Sequence, residues 1–235
     1  MLKVRSDTLG AEIDILLKLG LHPRLIQFFG SCIEGNDTLL ITEFAPLGDL
    51  LSKMEKIEDT ITPGHQLAIA QQICSGMEAL AQIGLIHRDL ALRNVLLFAY
   101  DPQDVTATSV KVSDFGLSVN AYAETAKYME EGPKPIRWLS SEALQRGRYS
   151  EKSDVWAFGV TIWELLSNGT KPYFSISSDD AVIAYVVQGG SLGRPPGAPS
   201  TVDHLWDSVL ACFAPLPANR PKFEQLGVKL GQLMV

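Results

Sequence analysis

Leu9, Ile13, Leu16 and either Leu17 or Leu19 recur at helical spacing over residues 8–19, and Gly20 follows as a C-cap, so an amphipathic helix is predicted near the start of the chain. After His22-Pro23, residues 25–32 and 38–44 have strand composition. They flank Glu34-Gly35-Asn36-Asp37, which is hairpin turn chemistry. From Pro63 the apolar positions Leu67, Ala70, Cys74, Met77 and Ala81 return every three or four residues, predicting a helix that stops near Gly84. Short strand-like pieces at 95–98 and 110–112 precede a polar, glycine-bounded stretch over 116–132. Residues 153–167 are apolar on nearly every helical face and end at Asn168-Gly169, which predicts a helix inside the core. A Gly/Pro loop over 189–200 and amphipathic helices over 202–213 and 222–233 complete the pattern. There is no internal repeat, low-complexity tract or long charge run.

Composition narrows the class. The chain has 235 residues, 46% hydrophobic and 20% charged, with 19 glycines and 13 prolines, a balance that excludes disorder and collagen-like architecture. Its formal charge of −7 argues against electrostatic binding of nucleic acid or an anionic membrane by the chain as a whole. The longest apolar run, 155–166, is interrupted by Glu164 and is too short for a bilayer core of about 30 Å. The opening MLKVRSDTLG has no apolar h-region, so neither a membrane span nor a signal peptide is expected. Cys32, Cys74 and Cys212 are odd in number and lack CxxC spacing, which suggests neither a disulfide framework nor a zinc site and fits a reducing compartment, that of a cytoplasmic protein or of the cytoplasmic portion of a membrane receptor.

The chemistry is concentrated in two segments. His87-Arg88-Asp89-Leu90-Ala91-Leu92-Arg93-Asn94 is followed by Asp114-Phe115-Gly116, each at the end of an apolar stretch. In this order they match the H-R-D-L-x-x-x-N and D-F-G elements of protein kinases. Downstream, Pro135-Ile136-Arg137-Trp138-Leu139-Ser140-Ser141-Glu142 resembles the family's substrate loop, Ser153-Asp154-Val155-Trp156 its central helix and Asn219-Arg220-Pro221 its closing arginine motif. With Ala91 two positions after Asp89, and P-I-R-W ahead of the substrate platform, the chain resembles a protein tyrosine kinase catalytic domain over nearly its whole length.

That resemblance implies an α+β, bilobal protein-kinase fold. Residues 1–45 would form a partial small β-rich lobe and residues 46–235 a large, mainly helical lobe with the catalytic, activation and substrate loops. It implies ATP and Mg²⁺ as cofactors, because phosphoryl transfer needs charge neutralisation and Mg²⁺ takes hard oxygen ligands. Asn94 and Asp114 would hold the metal. Asp89 would orient the substrate phenol and accept its proton, with Arg93 beside phenol and phosphate. Backbone groups of Glu43 and Ala45 would bond the adenine edge, Thr42 would be the gatekeeper and Leu96 the apolar floor. Glu12 would be the helix glutamate that partners the phosphate-binding lysine, a solvent-facing helix glutamate being the alternative. By the same resemblance Asp154 accepts N–H bonds from the His87-Arg88 loop, Glu142 pairs with Arg220, and Leu16, Phe28, His87 and Phe115 stack into a column. Tyr122 and Tyr128 fall in the implied activation loop. Phosphorylation of Tyr128, with Tyr122 competing, would give Arg88 a charged partner.

The pattern is broken in places. No glycine-rich G-x-G-x-x-G segment precedes these motifs, so the isolated chain is expected to turn over weakly. Lys3 is either the phosphate-binding lysine, only nine positions before Glu12, or a surface charge just beyond it; the short spacing favours the second. Ser140-Ser141 replaces Ala-Pro, Phe213 stands where tryptophan is usual, and residues 98–109 enlarge a normally tight turn into a polar surface hairpin. Two functions are open: a kinase acting on protein tyrosines within a larger protein with flanking regulatory domains, or a truncated, pseudokinase-like binding scaffold. Lys134, Arg137, Arg146 and Arg148 suggest a preference for acidic peptides.

Overall fold

The computed structural model describes residues 2–4, 9–35, 37–121, 134–195 and 198–234; of these, the side chains of residues 2–4, 9 and 11 are not described. The architecture is α+β, with a small sheet-rich part and a larger helical part. Strand β1 (Leu2–Val4) precedes helix α1 (Leu9–Leu19), strand β2 (Phe28–Glu34) and strand β3 (Asp37–Thr42). These strands form an antiparallel sheet in the order β1-β3-β2, with Lys3 opposite Leu39. α1 ends where predicted, at Gly20, whose φ of 60° is the left-handed geometry of a C-cap.

β2 starts later than the apolar pattern suggested. Leu25 and Ile26 are buried and pair elsewhere: Ile26 N–H donates to Val112 O at 2.9 Å, and Val112 N–H donates to Arg24 O at 2.9 Å. Backbone that looked like the head of a strand instead stitches the small sheet to the helical part. The helix that carries Gly76 permits this approach, since a Cβ there would lie 2.7 Å from Arg24 O.

The helical part begins with α2 (Leu50–Ile57), N-capped by Asp49. α3 (Pro63–Gln82) follows, with Pro63 in its first turn and a capping box between Thr62 and His65. β4 (Leu85–Ile86) leads to the hairpin β5 (Val95–Asp101) and β6 (Asp104–Val112), and β4 later pairs with β7 (Val119–Asn120). The enlarged hairpin is more than a surface feature. His65 Nε2 lies 2.9 Å from Asp101 O, and the Tyr100 hydroxyl lies 2.9 Å from Thr60 Oγ1. Gln72 accepts from Val110 N–H at 2.8 Å and donates to Thr108 O at 2.9 Å. The hairpin is thereby laid along α3.

Helices α4 (Ser141–Arg146), α5 (Glu151–Leu166), α6 (Asp179–Val187), α7 (Asp203–Leu210) and α8 (Phe223–Gln232) follow. α5 is the central core helix that its all-round apolarity predicts: Val155, Phe158, Val160, Ile162 and Leu165 are fully buried. Phe213 meets Trp156 edge-on at 5.2 Å, an arrangement the aromatic quadrupole favours. Gly159 admits that ring, which its Cβ would otherwise meet at 2.9 Å.

Glu142 and Arg220 form the expected ion pair, with Nη1–Oε1 at 2.6 Å and Nη2–Oε2 at 2.9 Å. Arg220 also donates to Lys152 O and Ala214 O, and its guanidinium lies 5.1 Å from the Trp156 ring centroid. Its side chain has no solvent exposure. Removing Glu142 would leave that cation buried without its counter-charge, so Glu142→Ala should cost about 3–5 kcal/mol in urea denaturation. Glu142→Ala with Arg220→Met should cost clearly less than the sum of the single losses; additive losses would contradict a tightly coupled pair.

Candidate active site

The segment 87–94 is built on a buried carboxylate. Asp154, in the first turn of α5, accepts from His87 N–H at 2.7 Å and from Arg88 N–H at 3.0 Å, as its place in the sequence implied. Arg88 adopts φ 71°, a conformation unfavourable for a non-glycine residue, and its guanidinium lies 4.5 Å from the Tyr149 ring centroid. The His87 ring is fully buried, 5.3 Å from Phe115, with Nε2 3.1 Å from Ser113 O. Leu16 and Phe115 belong to the same core cluster, and Phe28 packs against it.

Asp89 follows directly. Its carboxylate pairs with the Arg93 guanidinium and accepts from Asn94 Nδ2 at 2.9 Å, while Asn94 Nδ2 also donates to Asp89 O at 2.6 Å. Burial raises the Asp89 pKa; Arg93 and Asn94 oppose the rise. Because Asn94 spends its amide nitrogen on Asp89, its Oδ1 is left as the acceptor. Asp114 stands exposed at φ 64°, beside a cleft of about 180 Å³.

Glu12, Thr42, Arg93, Asn94, Leu96 and Asp114 line that one cleft, with Leu16, Ile26, Leu40 and Phe115 as apolar walls. Asp89 reaches it through its bonds to Arg93 and Asn94. Glu12 is buried rather than solvent-facing, and burial and the Asp114 charge both raise its pKa. Glu43 and Ala45 do not line the cleft but sit on the connection after β3. Glu43 N–H donates to Gln27 O at 2.9 Å, and its carboxylate meets Lys111 Nζ at 2.6 and 2.7 Å. Tyr122 and Tyr128 lie outside the described residues, as does the Lys3 side chain.

Comparison with known proteins identifies the framework. The family of protein tyrosine and serine/threonine kinases matches residues 3–230. The chain belongs to that family. Relatives include the human cytoplasmic tyrosine-protein kinase BMX, 35% identical over 223 residues that cover 94% of this chain and 31% of that protein. Human tyrosine-protein kinase TXK is 36% identical over 218 residues, covering 92% of this chain and 38% of that protein. Inactive tyrosine-protein kinase 7 of Mus musculus is 34% identical over 229 residues, covering 94% and 20% respectively. The chain thus spans well under half the length of these relatives.

In this kinase domain one expectation is corrected. Arg137, grouped above with substrate-facing cations, is buried: it pairs with Asp179 at 2.8 Å and donates to Pro172 O, Tyr173 O and Ile176 O. It braces the segment ahead of α6, and a basic residue in a loop gives no sequence signal of that fate. Two site groups escaped sequence reasoning. Lys111, beneath Glu43, is one. The other is Glu164, whose Oε2 accepts from Trp138 Nε1 at 2.8 Å and Leu92 N–H at 3.2 Å. A lone carboxylate interrupting the most apolar helix was the available signal for the second.

Burial pushes the His87 pKa down to about 4, outweighing the Ser113 carbonyl bond and the Asp114 charge, which favour protonation. The unfolded chain therefore binds a proton at His87 between about pH 6.5 and 4 that the folded chain refuses, so stability falls on acidification through that window. Asp154 and Glu164, each raised to about 7 by burial, work in the opposite direction and are common to both proteins compared. Relative to His87→Phe, the unaltered chain should lose roughly 3 kcal/mol more between pH 6.5 and 4, read from urea midpoints. Parallel pH–stability curves would contradict a neutral buried His87.

Proposed function

We propose that this chain is a protein tyrosine kinase domain that transfers the γ-phosphoryl group of ATP to tyrosine hydroxyls of protein substrates. The observation that carries the reading is the fixed Asp89 carboxylate, held by Arg93 and Asn94 beside a cleft into which Asp114 also opens. Asp89 would orient the phenol and take its proton, and Arg93 would stabilise charge that develops on the transferred group. Leu96 would floor the adenine site. Ala45 N–H and the Glu43 carbonyl would bond its edge, the Glu43 N–H being occupied by Gln27. Glu12 would serve the phosphate end of the cleft, and we divide the two lobes after Ala45.

The donor chemistry fits Mg²⁺. Asn94 Oδ1 and the Asp114 carboxylate are hard oxygens, and neither Asp114 nor Glu12 has an ion-pair partner among the described residues. Nor do the described residues gather three or more His, Cys, Asp or Glu side chains into a metal cage, so this pair would leave room for phosphate and water oxygens. When bound, Mg²⁺ neutralises phosphate charge; every proton movement assigned here belongs to Asp89.

No helix among the described residues is long and apolar enough to cross a membrane. With free cysteines and a cytoplasmic kinase among its relatives, the domain is assigned to the cytoplasmic side, within a larger protein whose flanking domains choose its substrates. Likeness to the inactive tyrosine-protein kinase 7 favours a second reading, a kinase-shaped scaffold without turnover.

Phosphate incorporation into a tyrosine-containing copolymer, dependent on Mg²⁺ and ATP, separates the two. Asp89→Asn should lower the rate at least about a hundredfold, the usual weight of a positioned general base. Equal rates for the two chains would remove Asp89 from the chemistry, and absence of turnover in the unaltered chain would favour the scaffold.

A further inference from the structure

Leu92 opens the 3₁₀ turn Leu92–Asn94, which carries Arg93 and Asn94, and Trp138 closes the 3₁₀ turn Ile136–Trp138 at the substrate loop. Both donate to the same oxygen, Glu164 Oε2, at 3.2 and 2.8 Å, from a side chain only 1% exposed on α5. The Trp138 ring is 4.6 Å from the Arg93 guanidinium carbon, a stacking distance, and Arg93 is the cation paired with Asp89. A continuous set of contacts therefore runs from Glu164 through Trp138 and Arg93 to the Asp89 carboxylate. A second, shorter route runs through the Leu92 amide into the backbone of the same turn.

We infer that Glu164 is a positioning residue for phosphoryl transfer, fixing the Arg93 guanidinium, and through it Asp89, by holding the Trp138 indole and the Leu92 amide on one carboxylate oxygen. The inference rests on the tyrosine kinase reading for its consequence in turnover, but not for the arrangement itself. Glu164 Oε2 is hydrogen-bonded to Trp138 and Leu92 rather than to Asp89 or Arg93, and Glu164 does not line the cleft, so it acts through its neighbours rather than on substrate. Burying a carboxylate is costly: burial pushes this one up to about 7 even against the lowering effect of the Trp138 and Leu92 hydrogen bonds and the Arg93 charge. The two N–H groups it satisfies come from different loops, so its loss leaves two donors unpaired and uncouples the substrate loop from the catalytic turn. What the geometry requires of position 164 is an acceptor oxygen rather than a full charge, and glutamine retains one.

The test compares Glu164→Met, Glu164→Gln and Trp138→Phe in the whole chain, with rates normalised to folded protein. Glu164→Met should lower kcat roughly ten- to a hundredfold, as expected for a misplaced reacting group, while KM for ATP stays within about twofold. Glu164→Gln should stay within about threefold of the unaltered chain, since it retains an acceptor. Trp138→Phe keeps a ring for Arg93 but deletes the indole N–H, so it should lose part of the same kcat and add little to the Glu164→Met loss when combined with it. It also serves if Glu164→Met does not fold. The side-chain NMR signal of Arg93 should shift in Glu164→Met and in Trp138→Phe and stay in place in Glu164→Gln, whether or not the chain turns over. An unmoved Arg93 signal in folded Glu164→Met, or additive kcat losses, overturns the inference. Absence of turnover in the unaltered chain with the Arg93 shifts as expected overturns the kinase reading alone and upholds the positioning role.

Discussion

Two backbone N–H groups, those of His87 and Arg88, converge on the Asp154 carboxylate, and the rest of the site depends on that contact. Neither partner is comfortable alone. A carboxylate only 2% exposed is expensive unless it is hydrogen-bonded, and Arg88 at φ 71° occupies a region that disfavours side chains. Each strain is tolerated because it supplies what the other lacks: the turned backbone aims two donors at one point, and the carboxylate holds the turn. Asp89, next in sequence, inherits its direction from this turn. His87 extends the constraint, since Asp89 N–H lies 3.2 Å from its Nδ1 and its Nε2 reaches Ser113 O, one residue before Asp114.

The same helix supplies a second buried carboxylate. Asp154 and Glu164 are ten residues apart on α5, which at 1.5 Å per residue is about 15 Å along the axis. One therefore meets the segment 87–94 at residues 87–88 and the other meets it at Leu92. A helix apolar on all sides must be enclosed, and an enclosed helix can offer polar anchors only where loops descend onto it. The core thus also sets the distance between the two ends of that segment. Phe213, Trp156 and Phe223 fix α5 against later helices through edge-on contacts, so positions 154 and 164 cannot drift independently.

Much of this was legible in the sequence, and the remainder was hidden for physical reasons. Periodicity located α1, α3, α5 and α8 because each presents a long, regular apolar face. It missed α2, α4 and α6: the first two are only eight and six residues long, and the third is apolar at positions too even for one face. The first strand was begun too early because Leu25 and Ile26 are as apolar as strand residues, but their partner is Val112, remote in sequence. Motif order alone groups Asp89, Arg93, Asn94 and Asp114, which the fold brings together at one cleft. It could not assign Arg137, whose charge is the same whether it faces solvent or three carbonyls, nor Glu164, whose two donors come from segments far from it along the chain. Non-local hydrogen bonds carry no periodic signature.

The two walls of the cleft are held by different forces. The lower wall, with Asp89, Asn94 and Leu96, is tied to α5 and α3 by hydrogen bonds and deep packing. The upper wall rests on α1, whose Ile15 and Leu16 are buried apolar contacts and whose buried polar group, Glu12, faces Asp114. Two carboxylates approaching one another beside Gly116 repel, and burial makes the repulsion harder to screen. A contact of that sign does not hold α1 in place, which leaves that to the apolar contacts of Ile15 and Leu16. The two walls therefore differ in what fixes them: hydrogen bonds to buried carboxylates of α5 below, apolar packing above.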